Sequence, residues 1–341
     1  MSKALITGVC GQDGAYLARS LYLKGYEVSG FDLGGSSVPA LGDAKYDTSH
    51  INLIHGDITD VNAIGRVVSD LAPDEIYHLA GASHVGQSFD DPENAMRVNG
   101  YGTQYLLEAI TAIGNGYAPH IFLASSAEIF GPGTGEPMDE TRHLNPQNPY
   151  AVSKAFAFEL GQKYRSDHGL HISNGILFNH ESPLRGPNFV TRKITQGVAA
   201  IQAGTMEALS LGNLDAARDW GHAEEYVEGM WKMLQQDAGE DYVLATGQAH
   251  SIRDCAEMAF SGIGIDLFWK GTGVDEVAVE ASSDVVKVRV DPAFFRPLDS
   301  PTRLGNASKA AEKLNWRAKT PFARLVREML EADQALIATR H

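Results

Sequence analysis

Tyr150 and Lys154 stand four residues apart in Pro149-Tyr150-Ala151-Val152-Ser153-Lys154. On a helix, that spacing puts both side chains on one face, one turn from each other. An ammonium beside a phenol favours the phenolate, and a phenolate is a base for an alcohol near neutral pH. Upstream, the strand-like run Ile121-Phe122-Leu123-Ala124 ends in Ser125-Ser126-Ala127-Glu128, where a hydroxyl and a carboxylate lie two residues apart. Tyr and Lys at this spacing also occur on ordinary solvated helix faces, and Glu128 alone is equally a solvated loop acid. What turns the pair into a proposal, a nicotinamide-dependent enzyme that oxidises an alcohol, is the N-terminal glycine loop.

Residues 3–7 read as a short buried strand, and Gly8-Val9-Cys10-Gly11-Gln12-Asp13-Gly14 follows as a turn into a helix through Leu23. Gly8, Gly11 and Gly14 allow the tight turn and let backbone N–H groups of this segment, with Gln12 and Asp13, approach a pyrophosphate at the helix N-terminus. The second strand, 26–32, ends in Asp32, at the distance from the glycines where a carboxylate bonds the adenosine ribose hydroxyls. A carboxylate there repels a 2′-phosphate and favours NAD over NADP, unless Asp32 merely opens the loop beyond it. After a third strand, 51–55, Asp57 beside Ile58 is placed to accept from the adenine amine, while Thr59 or Asp60 is equally a plain helix cap. The fourth strand, 75–80, runs through Leu79 and Ala80 into Gly81-Ala82-Ser83, small residues that let a dinucleotide lie close. A helix over 93–113 and a fifth strand over 120–124 complete five strand–helix repeats.

This alternation specifies an α/β fold with a doubly wound parallel sheet of the Rossmann type, with ligands at the carboxyl ends of its strands. A sixth strand spans 172–178; beyond it the alternation weakens into short strands and helices, a smaller C-terminal α/β substrate lobe. The expected division is a dinucleotide-binding domain over 1–178, rejoined by 213–246, and a nucleotide-sugar-binding lobe over 179–212 and 247–341. The glycine- and acid-rich span 271–284 reads as a mobile loop. A net charge of −15 argues against nucleic-acid binding and requires local cations for any anionic substrate. Arg185, Lys193, Arg218 and Arg296, in Gly/Pro-punctuated segments, are candidates for a diphosphate, or else surface charges and halves of ion pairs. No apolar run approaches the roughly 20 residues of a membrane span. The start leads directly into a strand rather than a signal peptide, and two cysteines give no disulfide framework, so a cytoplasmic protein is expected. No His, Cys or carboxylate spacing suggests a metal.

The chain resembles the extended short-chain dehydrogenase/reductases and, more narrowly, the GDP-mannose 4,6-dehydratase family. Superfamily-wide motifs are Thr7-Gly8 through Gly14-Ala15-Tyr16-Leu17 and 149–154. More specific are Asn174-Gly175-Ile176-Leu177-Phe178-Asn179-His180-Glu181-Ser182-Pro183, Phe189-Val190-Thr191-Arg192-Lys193-Ile194-Thr195, Arg218-Asp219-Trp220-Gly221 and Asp291-Pro292-Ala293-Phe294-Phe295-Arg296-Pro297. The resemblance implies that Ser126 is the catalytic hydroxyl, Glu128 the glutamate that sets dehydratases apart, Tyr150 the base and Lys154 the lysine on the cofactor ribose. It implies cofactor contacts from His180 and Arg185. Asn179, Val190, Lys193, Arg218 and Arg296, with Ser83, form the substrate wall. The family's basic run after the second strand, which grips a 2′-phosphate and builds a tetramer contact, is here Asp32-Leu33-Gly34-Gly35. Thr-Ser-Glu becomes Ser126-Ala127-Glu128, and Gly81-Ala82 stands where Ala-Gln is usual.

The implied reaction converts GDP-mannose, or equally a GDP-manno-heptose, to its 4-keto-6-deoxy sugar nucleotide, with hydride passing from C4 to the cofactor and on to C6. NADP is the alternative to NAD, and a homodimer or homotetramer is expected. Two rivals remain: a nucleotide-sugar 4-reductase or epimerase, and a non-catalytic dinucleotide-binding sensor.

Overall fold

The computed structural model describes residues 1–34, 48–114, 116–295 and 302–339. Its centre is a seven-stranded sheet. The strands are β1 (Lys3–Thr7), β2 (Glu27–Asp32), β3 (Asn52–His55), β4 (Glu75–His78), β5 (His120–Ser126), β6 (Ile172–Leu177) and β7 (Tyr242–Leu244). They lie in the order β7-β6-β5-β4-β1-β2-β3, every pair parallel. The chain winds outward from β1 to β3, then returns and winds the other way from β4. The switch point between β1 and β4 therefore opens a crevice at the carboxyl ends of both.

The strands are apolar on both sides because helices cover both faces. On one face Leu17 and Leu21 of the helix Gln12–Leu23 meet Tyr226 and Met230 of the helix Ala223–Leu234. On the other, Ile64 and Val68 pack against Leu106, Leu107 and Ile110. Each of these fully buried aliphatic side chains stabilises the fold by roughly 1.5–3 kcal/mol.

The helix expected over 93–113 is interrupted. Residues Met96–Tyr101 form a π-turn between Pro92–Ala95 and Gly102–Ile113. This turn carries the buried Asn99, whose Oδ1 accepts from Ala82 N at 2.8 Å and whose Nδ2 donates to Ser153 Oγ at 2.9 Å. Such π-turns are often found where a helix must present a side chain to a site.

The span 271–284 is not the loop its glycines suggest. Val277–Glu280 is a strand paired antiparallel with Leu267–Lys270 and with Val286–Val290, and Ala278 is fully buried. Val279 is buried beside Ala278, and pairing with a strand on each side overrides the local composition. Leu209–Leu211 completes this four-stranded sheet over a second core that includes Val198, Phe260, Leu325 and Met329. Among the described residues no helix is long and apolar enough to cross a membrane.

Candidate active site

A cleft of about 850 Å³ opens at the switch point, and the sequence motifs converge on it. At one end its lining is the glycine turn. Gly8 has φ +76°, and a Cβ there would lie 2.7 Å from Ala80 N; at Gly14 it would lie 2.5 Å from Gly8 O. The turn is thus closed tightly against the end of β4, with the start of the helix Gln12–Leu23 facing the cleft. Asp32 stands at the rim, where Oδ2 accepts from Cys10 N at 2.7 Å and Oδ1 from Leu33 N at 2.8 Å. Its carboxylate is fixed to the turn it must work beside. Asp57 and Ile58 also line the cleft, but Asp57 Oδ1 is engaged by Thr59 N and Oγ1, both at 2.8 Å; Asp60 is the helix cap. Leu79, Ala80, Gly81 and Ser83 line the floor. A Cβ on Gly81 would sit 3.0 Å from Asn99 Oδ1 and 3.4 Å from Lys154 Nζ, so glycine leaves those groups their space.

At the other end stand Ser126, Glu128, Tyr150 and Lys154, all lining the cleft. β5 delivers Ser126, whose Oγ accepts from Glu128 N at 3.2 Å and so caps the single turn Ala127–Phe130. Tyr150 and Lys154 come from the helix Pro149–His168, which begins at an Asn148 cap with Pro149 in its first turn. The expected electrostatics differ. Burial pushes the Tyr150 phenol up to about 12; a hydrogen bond to Ser126 and the charge of Arg185 oppose this, and the Glu128 charge adds to it. Lys154 Nζ instead donates to the Ala124 carbonyl at 2.9 Å, and burial lowers it to about 8. The ammonium is turned to the strand end, so desolvation governs the phenol rather than the lysine charge.

His180 lines the cleft, yet both ring nitrogens are committed. Nδ1 bonds the Phe178 carbonyl and Nε2 bonds Asp13 Oδ2, each at 2.8 Å. Burial alone would lower its pKa, but the Asp13 carboxylate outweighs it and the net shift is upward; Asp13 is held low in turn. Gln12 reinforces this latch, donating to Asp13 Oδ1 and the His180 carbonyl and accepting from Ser182 Oγ at 2.8 Å. Arg185 pairs with Glu181 at 3.1 Å and lies over the Phe189 ring, 3.6 Å from its centroid. Asn179 and Val190 line the cleft. Lys193 sits over Phe294 at 3.8 Å and Arg218 in the strand Ala217–His222, both outside the cleft lining; Arg296 lies outside the described residues.

Three contributions went unread in the sequence, Ser125 and Arg303 in the cleft lining and Asn148 as a partner of Glu128. Ser125 Oγ is buried without a hydrogen-bond partner at the cleft end of β5, a fit for a polar group of a bound dinucleotide. Asn148 donates from Nδ2 to Glu128 Oε2 at 3.0 Å; the Asn-Pro pair signals a helix cap but not this bond. Arg303 pairs with Glu128 Oε1, and its Nε donates to the Gly131 carbonyl at 2.9 Å. No local signal marks Arg303, which lies 175 residues beyond its partner.

Residues 5–329 match the family described as GDP-mannose 4,6 dehydratase. The chain belongs to this family. A GDP-mannose 4,6-dehydratase from Sinorhizobium fredii is 45% identical over 97% of this chain and 96% of its own length. The fold is that of solved UDP-glucose 4-epimerase from Thermus thermophilus in complex with NAD (TM-score 0.79, 23% identity, 97% of this chain and 99% of that one). It is likewise that of RMD from Pseudomonas aeruginosa complexed with NADPH (TM-score 0.77, 22% identity, 98% and 100%). This dehydratase-family chain is therefore an enzyme, a hydro-lyase with a Rossmann-type α/β fold. The glycine turn, Asp32 and the orphaned Ser125 hydroxyl suit a nicotinamide dinucleotide.

Proposed function

We infer that the protein is a 4,6-dehydratase of GDP-mannose or of a GDP-sugar with the same ring configuration. The observation that carries this is the Glu128 carboxylate, held in one cleft wall with Ser126, Tyr150 and Lys154. A dehydratase needs one more proton-transfer group than an epimerase or reductase, because H5 must leave and O6 must depart as water. Ser126 donates a hydrogen bond to O4 while Tyr150 takes the O4 proton. A nicotinamide dinucleotide held by the glycine turn and Lys154 would supply reversible hydride exchange between C4 and C6, and its positive charge would favour the Tyr150 phenolate. With C4 a ketone, H5 becomes acidic; Glu128 removes it and passes a proton to O6 as the C6–O6 bond breaks. A proton returns to C5 as C6 is reduced, so the sugar nucleotide loses one water and undergoes no net oxidation. Lys154 holds the nicotinamide ribose. Residues 1–178 and 213–246 form the cofactor lobe in this reading, and 179–212 with 247–341 the sugar-nucleotide lobe.

Asp32 supports NAD as the preferred cofactor: two backbone N–H groups hold its carboxylate at the end of β2, and a carboxylate there would repel a 2′-phosphate. Exposed Tyr101, Val152 and Phe89 support at least a homodimer, which light scattering would test. The reaction is tested with GDP-mannose and GDP-manno-heptose deuterated at C4. The label should appear at C6 of a 4-keto-6-deoxy product with catalytic NAD⁺; retention at C4, or loss to solvent, would rule out the internal transfer.

A further inference from the structure

Glu128 is fixed by a neighbour two residues away and by two partners from separate parts of the chain. Its backbone N–H is held by Ser126, Oε2 accepts from Asn148, and Oε1 is paired with Arg303. Neither outer partner is free to wander. Asn148 is pinned at its other end, where Oδ1 accepts from Ala151 N at 2.8 Å as the helix cap. Arg303 is pinned by the Gly131 carbonyl, on a turn where Gly131 has φ +74° and a Cβ would lie 2.2 Å from Asn145 O. Arg303 enters on the segment whose next residues, Leu304–Gly305, pair with Pro137–Met138, and it is 8% exposed. A guanidinium with two of its donor nitrogens committed to protein acceptors has little freedom left to rotate.

We propose that Arg303 is a positioning residue for the dehydration: with Asn148 it clamps the two oxygens of Glu128 in the one orientation from which H5 is removed and O6 protonated. This rests on the dehydratase reading of Glu128. A glutamate released on one side regains rotamers in which neither oxygen reaches the sugar, and small misplacements of a proton-transfer group slow its step steeply. Oxidation at C4, which is the work of Ser126 and Tyr150, does not depend on the clamp.

The test compares the wild-type enzyme with R303M, R303K and E128Q, on GDP-mannose deuterated separately at C4 and C5. R303M should lose about 10–100-fold in kcat, with KM changed less than about threefold. Its C5 isotope effect should grow while the C4 effect shrinks, because elimination becomes the slow step. R303K can serve only part of the fork and should recover part of the loss, with an intermediate C5 effect. A folded R303M with wild-type isotope effects overturns the proposal; if R303M does not fold, an unaltered C5 effect in R303K does so. E128Q that dehydrates at the wild-type rate would sink both this and the dehydratase reading. An inactive E128Q beside an unaltered R303M would sink the clamp alone.

Discussion

At the dinucleotide end of the cleft the wall is mostly backbone: a glycine turn, a strand end and a carboxylate bonded to the turn's own N–H. At the sugar end the wall is mostly side chains, brought together from positions 126, 128, 150 and 303, with Asn148 bonded to Glu128. Backbone walls are specified by short contiguous motifs, because turn geometry is a local property. Side-chain walls depend on tertiary packing and have no local signature. The two ends should therefore fail differently when altered.

The largest separation comes from Glu128→Gln. It should lower dehydration by about 10²–10⁴-fold while nicotinamide dinucleotide binding, read by fluorescence titration, stays at the wild-type value. A parallel loss of cofactor affinity would mean the two ends are not independent. Gly8→Ala should do the reverse: a left-handed φ and a 2.7 Å approach to Ala80 N leave a methyl group no room. Cofactor affinity should drop sharply and stability by about 2–4 kcal/mol, measured by denaturant unfolding.

Asp32→Ala should reduce the preference for NAD over NADP by about tenfold with little change in kcat, since only the ribose end is touched. Tighter NADP binding by the unaltered protein would refute the role given to Asp32.

The smallest effect is on stability. Burial lowers His78 to about 3, with Lys154 adding to it, and lowers His171 to about 4, with neighbouring His120 adding to it. The unfolded chain then binds more protons than the folded one below about pH 6.5, so stability should fall as pH drops toward 4. His171→Gln should flatten part of that slope in melting temperature; an unchanged slope would remove His171 as a contributor.

The same division governs what could be read from the chain alone. The parallel sheet was legible because Leu5-Ile6, Ile76-Tyr77 and Ile121-Phe122 are apolar runs punctuated by glycine turns. Tyr150 and Lys154 were legible as a spaced pair, but the phenol's high pKa was not, because desolvation depends on what packs around it. His180 could be placed at the cleft, while its bond to Asp13 spans 167 residues and leaves no trace in either local segment. The strand Val277–Glu280 was hidden by the glycines and acids around it.

The π-turn at Met96–Tyr101 makes the length of its segment a constraint in its own right. Such a turn holds one residue more than the α-helix it interrupts. Deleting a single residue there would restore a regular helix and remove the widened turn on which Asn99 sits. Asn99 would swing away from Ala82 and Ser153. Point substitutions nearby should be better tolerated than any change in residue count, an asymmetry that a scan of single deletions across 92–113 would reveal.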